Sequence, residues 1–212
     1  MFVAGWFSPG IVCNTMVYMM FFKSRTLVLL TLGGLLASPA SYGDYEEGVN
    51  AAFAGDFETA FREFSIAAED GLMMAQYNLA ILYFTGQGVD KDMAQAFRWT
   101  EAAAQQGHSD AQYNLASLYL SGDGVARDAE QAVVWFGKAA LAGHANAAYA
   151  LADLYQSGED IARDRVTAHA WASQAVYNQH PDAEQLKQEL ESRLDSDELS
   201  QAKRLFARWQ IQ

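Results

Sequence analysis

Three of the four histidines, His108, His144 and His180, recur at intervals of 36 residues. Histidine binds metals and exchanges protons near neutral pH, so this column raises the question of a metal site or of acid–base catalysis. In a stack of helices, which the repeats described below predict, equivalent positions lie roughly 10 Å apart. Zinc needs its ligands within about 2 Å of one centre. We therefore predict a structural role, next to a helix C-terminus where partial positive charge is favourable. We expect His169 to be a surface or inter-helix residue.

Carboxylates also recur, at Asp92, Asp128 and Asp164, and each stands ahead of an apolar run, where a side chain that caps a helix is expected. Asp92-x-x-Gln95 and Asp128-x-x-Gln131 further fit a capping box, in which the glutamine returns to the backbone of the cap. The Gly-x-Gly segments follow predicted helices instead of strands, which argues against a phosphate loop, and no Ser-His-Asp order with a nucleophile elbow is visible. These patterns predict a protein that is not an enzyme and needs no metal or cofactor.

The histidines and aspartates belong to a repeated segment. Residues 75–110 and 111–146 are identical at 19 of 36 paired positions, and a third copy occupies residues 147–182. Self-similarity at a fixed period is typical of repeat architectures, in which each unit buries its apolar face against its neighbours.

Each copy has the pattern of two helices. The first ten residues carry a broad apolar stripe at helical spacing, formed in the first copy by Tyr77, Leu79, Ala80, Leu82 and Tyr83. A glycine such as Gly86 then fits a left-handed helix end. After the aspartate cap, Ala96, Trp99 and Ala103 and their equivalents recur at spacings of three and four. This second helix is expected to pack back on the first as an αα-hairpin.

The shared residues, Ala-Gln-Tyr-x-Leu-x-x-Leu-Tyr-x-x-Gly-x-Gly-Val followed by Asp, Ala, Trp and Gly-His, resemble the Sel-one-like repeat, a relative of the tetratricopeptide repeat. The resemblance covers residues 75–182 and implies an all-α, right-handed α-solenoid of helix-turn-helix units. The third copy departs from the pattern, because Asp160 replaces the second loop glycine and Gln179 replaces the glycine near the end.

The resemblance also implies a concave surface lined by the first helix of each unit. The lining positions would be Asn78, Ile81, Phe84, Asn114, Ser117, Leu120, Ala150, Asp153 and Gln156. The asparagines can hydrogen-bond an extended peptide backbone, or alternatively they simply solvate an open helix face. Because none of these three helices contains lysine or arginine, a neutral or basic segment is expected to bind here, and a clamp for a terminal carboxylate is not.

The front of the chain is predicted to be an export signal. Lys23 and Arg25 precede a short apolar run and a segment of small residues. This order is typical of a secretory signal, with cleavage after Ala40 or Gly43, and the run is too short to span a membrane comfortably. We therefore expect an exported, periplasmic protein, the alternative being an inner-membrane protein anchored by a retained N-terminal segment.

The residues ahead of that signal are uncharged, so translation is expected to begin at Met19 or Met20, the alternative being an extra membrane segment. The single cysteine, Cys13, would be absent from the mature chain, which excludes a disulfide framework. The net charge is −12 and becomes −14 when Lys23 and Arg25 are removed, because 12 basic and 26 acidic residues remain. Such a charge disfavours nucleic acid and anionic lipid as partners.

The two ends of the repeat region are expected to cap it. Residues 44–74 resemble a degenerate first repeat with a loop about four residues shorter, as in tetratricopeptide repeats, and with Asp56 as a helix cap. Residues 183–212 predict two closing helices, the second opened by a capping box at Asp195-x-x-Glu198. The alternative for this end is an amphipathic tail that binds a partner.

These observations favour a non-enzymatic adaptor of the bacterial cell envelope that binds a polypeptide through the concave face. Two alternatives remain open. One is an enzyme or a regulator of an enzyme that uses the same groove, and the other is a membrane-anchored assembly factor.

Overall fold

The computed structural model describes residues 39–211, and this part of the chain is built from ten α-helices without a β-strand. In chain order the helices are α1 (Pro39–Ala54), α2 (Phe57–Glu69), α3 (Met73–Thr85), α4 (Met93–Gln105), α5 (Ser109–Ser121), α6 (Ala129–Leu141), α7 (Ala145–Ser157), α8 (Arg165–Tyr177), α9 (Ala183–Glu191) and α10 (Ser196–Trp209).

The helices pack as a row of hairpins. Within each pair, α1 packs against α2, α3 against α4, α5 against α6 and α7 against α8. Each new pair then places its first helix against the second helix of the preceding pair, so that α2 contacts α3, α4 contacts α5 and α6 contacts α7. The predicted all-α repeat fold is therefore confirmed.

The second helices begin where the aspartates predict. The carboxylates of Asp92, Asp128 and Asp164 accept hydrogen bonds from backbone N–H groups in the first turns of α4, α6 and α8. The first helices end as predicted too, because Gly86 adopts the left-handed conformation with φ +73° and its N–H donates to the carbonyl of Leu82.

The predicted reciprocal half of the capping box is not formed at Asp92 and Asp128. In a capping box the glutamine side chain would accept from the N–H of the cap, but that N–H already has a partner. The N–H of Asp92 donates to the carbonyl of Tyr83 at 3.1 Å, and the N–H of Asp128 donates to the carbonyl of Tyr119 at 2.8 Å. These bonds tie the start of each second helix to the end of the first.

The predicted repeats begin at residues 75, 111 and 147, which is two residues after the first residue of the corresponding helices. Helices α3, α5 and α7 begin at Met73, Ser109 and Ala145. The boundaries were set by sequence identity, whereas the helix begins at the turn that follows the preceding helix.

The core is a set of columns that repeat every 36 residues. Leu79, Leu115 and Leu151 are fully buried, one in each first helix. Facing them, small residues of the second helices are buried, which lets neighbouring backbones approach closely: Ala96, Ala103, Ala132, Ala139, Ala168 and Ala175. The stacked pairs thus share one continuous apolar interior.

The pair α1–α2 has a tighter connection than the others. Only Gly55 and Asp56 separate its helices, whereas residues 86–92 separate α3 from α4. The carboxylate of Asp56 accepts from the N–H of Thr59 at 3.1 Å, as expected of a helix cap.

The last two helices pack on α8. Trp209 of α10 stacks on Trp171 of α8, with ring centroids 3.9 Å apart. The predicted capping box at Asp195 and Glu198 is present with both of its hydrogen bonds. Leu186 and Leu190 of α9 are buried, and Leu194 lies in the connection between α9 and α10.

The predicted signal segment lies largely outside the described residues. Only the two cleavage positions can be placed, and both Ala40 and Gly43 fall in the first turns of α1. In the described part of the chain, no helix combines the length and apolar character needed to cross a membrane.

Candidate functional site

The repeated histidines lie at the start of the first helices. His108 and His144 are the N-cap residues of α5 and α7. Their Nδ1 atoms accept hydrogen bonds from the N–H groups of Ala111 and Ala147 at 3.3 and 3.2 Å. The third histidine, His180, accepts in the same way from the N–H of a nearby residue, Asp182, at 3.2 Å.

Each of these imidazoles also stacks on a tyrosine of the preceding first helix. The ring centroids of His108 and Tyr77 are 4.2 Å apart, and those of His144 and Tyr113 are 4.6 Å apart. Burial lowers the pKa of both imidazoles, which opposes the rise that the nearby Asp110 carboxylate causes. The neutral ring is the form that this setting favours.

This geometry corrects the predicted environment of the histidines. We expected a partial positive charge favoured by a helix C-terminus, but the rings face helix N-termini, where a positive charge is unfavourable. Each ring accepts a hydrogen bond at Nδ1 and stacks on a tyrosine, and Nε2 of His144 also lies 3.3 Å from a carboxylate oxygen of Asp110. The role is structural, and it joins one repeat to the next.

Among residues 39–211, no group of three His, Cys, Asp or Glu side chains is placed to hold a metal ion. His169 lies between α8 and the closing helices and is only 1% exposed. Its two ring nitrogens make no hydrogen bond to the described part of the chain, and Nε2 lies 3.9 Å from a carboxylate oxygen of Glu191. His169 is therefore an inter-helix residue, and its burial lowers its pKa.

One serine–lysine spacing in the sequence does not form a catalytic pair. Ser200 and Lys203 of α10 fit the Ser-x-x-Lys pattern of some acyl-transfer enzymes. Both residues are exposed, the Ser200 hydroxyl donates to the carbonyl of Ser196, and Lys203 Nζ lies 3.8 Å from Glu191. The serine hydroxyl thus has a backbone partner, and the lysine faces a carboxylate instead of the serine.

The predicted lining residues of the first helices form a surface that we call the first-helix face. Three cavities open along it, and seven of the predicted positions line them: Asn78, Ile81, Phe84, Asn114, Ser117, Asp153 and Gln156. A central cavity of about 160 Å³ lies between α3 and α5, and its lining includes Ile81, Phe84, Asn114 and Ser117. The other two predicted positions, Leu120 and Ala150, line none of these three cavities; both are half-buried and pack against the main core.

The cavity nearest the N-terminal end, which we call the apolar cavity, has a volume of about 440 Å³ and is bounded by α1, α2 and α3. Asn78 lines it, together with a mainly apolar set: Tyr45, Val49, Ala52, Phe53, Phe57, Phe64, Met74, Ile81 and Leu82. Phe53 is 88% exposed at this site. Sequence reasoning missed this cavity because it depends on how α1 packs against α3.

The two asparagines have partners within the protein. Asn78 Nδ2 donates to the hydroxyl of Tyr45 at 3.2 Å. Asn114 lies beside the hydroxyl of Tyr77. Burial raises the pKa of this hydroxyl, and the contact with Asn114 partly opposes the rise. Each asparagine therefore reaches back to a tyrosine of the preceding repeat.

The third cavity, which we call the arginine cavity, has a volume of about 250 Å³ and lies between α7, α8 and α9. Asp153 and Gln156, both predicted lining residues, share it with Arg163, Arg165 and Arg193. The first helices do lack lysine and arginine, but these cations come from the start of α8 and the end of α9. A repeated basic column at Lys91, Arg127 and Arg163 was the available signal.

The repeats are joined by hydrogen bonds that recur at equivalent positions. Gln76 Nε2 donates to the carbonyl of Ala68 at 3.2 Å, and Gln112 Nε2 donates to the carbonyl of Ala104 at the same distance. At the third junction alanine replaces this glutamine, and Asn178 Nδ2 donates to the carbonyl of Ala140 at 2.8 Å instead. The stack is thus held by buried side-chain amides as well as by apolar contact.

Such a row of equivalent helical hairpins defines an all-α tandem-repeat protein. The family model described as Sel1 repeat matches residues 74–108, 109–144 and 145–180, just over half of the chain. The protein therefore belongs to the Sel1 repeat family, whose members are generally scaffolds for protein–protein interaction. The predicted resemblance is confirmed.

Two solved structures show how far the similarity extends. A Sel1 repeat protein from Oxalobacter formigenes is 29% identical, with 66% of this chain and 57% of that chain covered and a TM-score of 0.61. The protein c5321, described as a protective antigen present in uropathogenic Escherichia coli strains and displaying an SLR fold, is 26% identical, with 80% and 45% covered and a TM-score of 0.52.

This chain thus spans about half the length of each of those two chains. No curated protein gives a significant match to the sequence.

Proposed function

We propose that the protein is a non-enzymatic scaffold of the bacterial cell envelope that binds a polypeptide partner along the first-helix face. The observation that carries the proposal is the exposure of large apolar side chains beside the cavities of that face. Phe84 is 49% exposed and lines the central cavity, and Phe53 and Met74 line the apolar cavity and are also exposed. Exposed apolar groups next to concave sites are typical of surfaces that bind other proteins.

The charge of the repeats supports a neutral or basic partner segment over most of this face. Residues 44–162 contain 18 aspartate or glutamate residues and five lysine or arginine residues. A negative field of this kind attracts cationic segments and repels nucleic acid and anionic lipid. We therefore propose that polypeptide, and not a nucleic acid or a membrane surface, is the partner.

Export to the periplasm is part of the proposal and depends on the sequence ahead of α1. N-terminal sequencing of the protein recovered from a bacterial envelope fraction tests it. A mature chain that begins at Ser41 or Asp44 is expected. A chain that keeps its first residues would favour the second candidate function, a membrane-anchored assembly factor or regulator of an envelope enzyme.

Site-specific photo-cross-linking tests whether the first-helix face binds protein. A photoreactive amino acid is placed at Phe84 and, as a matched control, at Val134 of α6, because the two residues are 49% and 50% exposed. We expect a discrete cross-linked partner band from position 84 in cells, and none from position 134. Equal cross-linking from both positions would contradict a binding role for this face.

A double substitution tests whether the two asparagines contribute to partner binding. Asn78→Ala/Asn114→Ala removes both amides from the face, and we expect it to weaken capture of the cross-linked partner by the purified domain. Unchanged capture would limit these residues to their contacts with Tyr45 and Tyr77.

A further inference from the structure

The arginine cavity collects positive charge in a protein of net charge −12. Arg163, Arg165 and Arg193 line one space of about 250 Å³, together with a single carboxylate, Asp153. Arg163 and Arg165 come from the segment that opens α8, and Arg193 follows α9. Cations from two separate parts of the chain therefore meet at one end of the first-helix face.

Two of these guanidinium groups are held in place by hydrogen bonds that leave other donors free. Arg163 donates from Nη2 and Nε to the carbonyl of Ser157, at 2.8 and 3.3 Å. Arg193 donates from Nη2 to the carboxylate of Glu189 at 2.7 Å. A guanidinium carries five N–H donors, so each group keeps several for a ligand, and its fixed position lowers the entropy cost of binding.

Arg163 differs from its equivalent in the preceding repeat. Arg127 also donates to a backbone carbonyl, that of Leu120 at 2.8 Å, and it forms an ion pair with Asp160 of the next repeat. One repeat further on, the position 36 residues after Asp160 is Ser196, which has no charge. Arg163 therefore lacks the acidic neighbour that neutralises Arg127.

Arg165 has no counterpart in the other repeats. It is the first residue of α8, and the first residues of α4 and α6 are Met93 and Ala129. Among the described residues, no carboxylate lies within ion-pair distance of Arg165. A cation in the first turn of a helix is unfavourable, so helix stability does not account for this residue.

A polar atom of the same cavity is also without a partner. Gln156 donates from Nε2 to Glu189 at 3.3 Å, and its buried Oε1 accepts no hydrogen bond from the described residues, so it could accept from an N–H of a ligand but not from a carboxylate. Leu190 forms an apolar, fully buried part of the wall. Ionic hydrogen bonds made beside such a wall are stronger than those made in open water.

We propose that the arginine cavity binds an acidic side chain of the partner polypeptide. The proposal rests on the proposed function and deepens it, because it predicts which way the partner segment runs along the first-helix face. Its apolar residues would lie toward α1–α3, and a glutamate or aspartate would lie toward α7–α9. Arginine suits this task because its planar fork pairs with both oxygens of a carboxylate. Three arginines against Asp153 and Glu189 leave the site one positive charge in excess.

The test uses small probes, so that it does not depend on knowing the partner. The purified chain is titrated with N-acetylglutamate amide, which carries only a side-chain carboxylate, and the Nε–Hε signals of its arginines are followed by NMR. N-acetylglutamine amide is the neutral control, and N-acetylalanine supplies a terminal carboxylate instead. We expect saturable shifts at Arg163, Arg165 and Arg193 with the glutamate probe, and no saturable shift at Arg98, an exposed arginine on α4.

Substitution then links the shifts to the cavity. Arg165→Gln is expected to weaken binding of the glutamate probe at least fivefold, whereas Arg98→Gln, the matched control, leaves it unchanged. Among residues 39–211 the Arg165 side chain makes no hydrogen bond or ion pair, so the variant should keep the wild-type unfolding midpoint. If Arg165→Gln does not fold, binding of the glutamate probe is measured with Arg193→Gln instead, and the same weakening is expected.

Two results would overturn the inference. The first is a shift that grows equally and without saturation at all arginines, which is the signature of ionic strength alone. The second is a response to N-acetylalanine but not to the glutamate probe, which would assign the cavity to a chain terminus. Neither result depends on the cross-linking at Phe84, so failure of this inference and failure of the proposed function can be told apart.

Discussion

At the residue scale, the histidine that follows each glycine near the end of a repeat works as a neutral, flat hydrogen-bond acceptor. It caps one helix and covers a tyrosine of the preceding repeat. Protonation of Nδ1 would remove the acceptor and place a positive charge at a helix N-terminus. This link between protonation and capping makes the stack sensitive to acid.

We expect the caps to lose their stabilising effect below neutral pH. Burial holds the pKa of His108 and His144 below the ordinary value, which is about 6.5. The unfolded chain therefore binds these protons more readily. The contribution of the caps is complete above about pH 6.5 and decreases as the pH falls below that value.

The measurement compares wild type with His108→Asn/His144→Asn, because asparagine caps helices without titrating near neutral pH. Urea unfolding is followed at about pH 7.5 and about pH 5.5. The difference in unfolding free energy between the two proteins should move in favour of the variant at the lower pH. A difference that stays constant would show that the histidines do not titrate in this range.

A second prediction concerns the buried amide of Gln112. At the first junction Gln76 Oε1 accepts from Gln106 Nε2 at 2.7 Å. The residue equivalent to Gln106 in the next repeat is Ala142, and Gln112 Oε1 is buried without a partner among the described residues. Ala142→Gln should supply the missing donor and raise the unfolding free energy by about 1 kcal/mol.

Ala142→Met controls for side-chain length, since methionine has no donor. Ala142 is exposed and caps α6, so either side chain can be accommodated. Denaturant unfolding of the three proteins measures the effect. If glutamine stabilises no more than methionine, the amide of Gln112 has another partner in solution.

At the element scale, the long loop of each repeat packs on the repeat before it. Gly124 has φ +74°, and a Cβ atom built on it would lie 2.1 Å from the carbonyl oxygen of Met93. The same approach occurs one repeat earlier, between Gly88 and Phe57. In the third repeat Asp160 takes this position and pairs with Arg127 instead.

Gly124→Ala should therefore be strongly destabilising. We expect a loss of more than about 2 kcal/mol, because left-handed strain adds to a clash with fixed backbone. Gly143→Ala is the matched control: Gly143 has φ +95°, but its Cβ would meet nothing within 4 Å. Urea midpoints of the two variants give the comparison, and equal losses would mean that the loop yields without cost.

Much of the element structure followed from the sequence, and what did not follow depended on contacts between repeats. The aspartate caps, the glycine helix ends and the leucine and alanine columns are local or periodic features, so single residues such as Asp92 and Leu79 predicted them. The partner of the Asp92 N–H was not predictable, because the Tyr83 carbonyl becomes its partner only when the hairpin closes.

Contacts between elements also explain why only part of the first-helix face was predicted from the sequence. Periodicity placed Ile81, Phe84 and Ser117 on one surface, since all lie on first helices. It could not place Arg163, Arg165 and Arg193 there, because these residues reach the face from other elements. The expectation of a neutral or basic partner segment was drawn from the first helices alone, and it took no account of the three arginines at the α7–α9 end.

At the scale of the whole molecule, the row of hairpins has two unlike ends. The pair α1–α2 borders an exposed apolar cavity, whereas α9 and α10 pack on α8. Trp209 of α10 stacks on Trp171, which is buried. This contact separates the interior of the last repeat from solvent.

Trp209→Ala should open that end. We expect a loss of about 2 kcal/mol, less than for a fully buried aromatic residue because Trp209 is only half-buried. Increased binding of a dye specific for exposed apolar surface, together with the urea midpoint, checks this expectation. Ile211→Ala is the control, since Ile211 is 83% exposed, and a similar effect of both substitutions would contradict a covering role for Trp209.

The equal geometry of the first two junctions between repeats has a consequence for how such a chain can lengthen. Gln76 Nε2 donates to Ala68 and Gln112 Nε2 donates to Ala104 at the same distance of 3.2 Å. The end of the repeat at residues 109–144 should therefore fit against the start of a second copy of itself. Tandem duplication of the gene segment that encodes them would therefore yield a longer protein with every new junction already matched. Insertions of any other length would bring unlike surfaces together, so we expect descendants of this gene to differ in size by whole multiples of 36 residues.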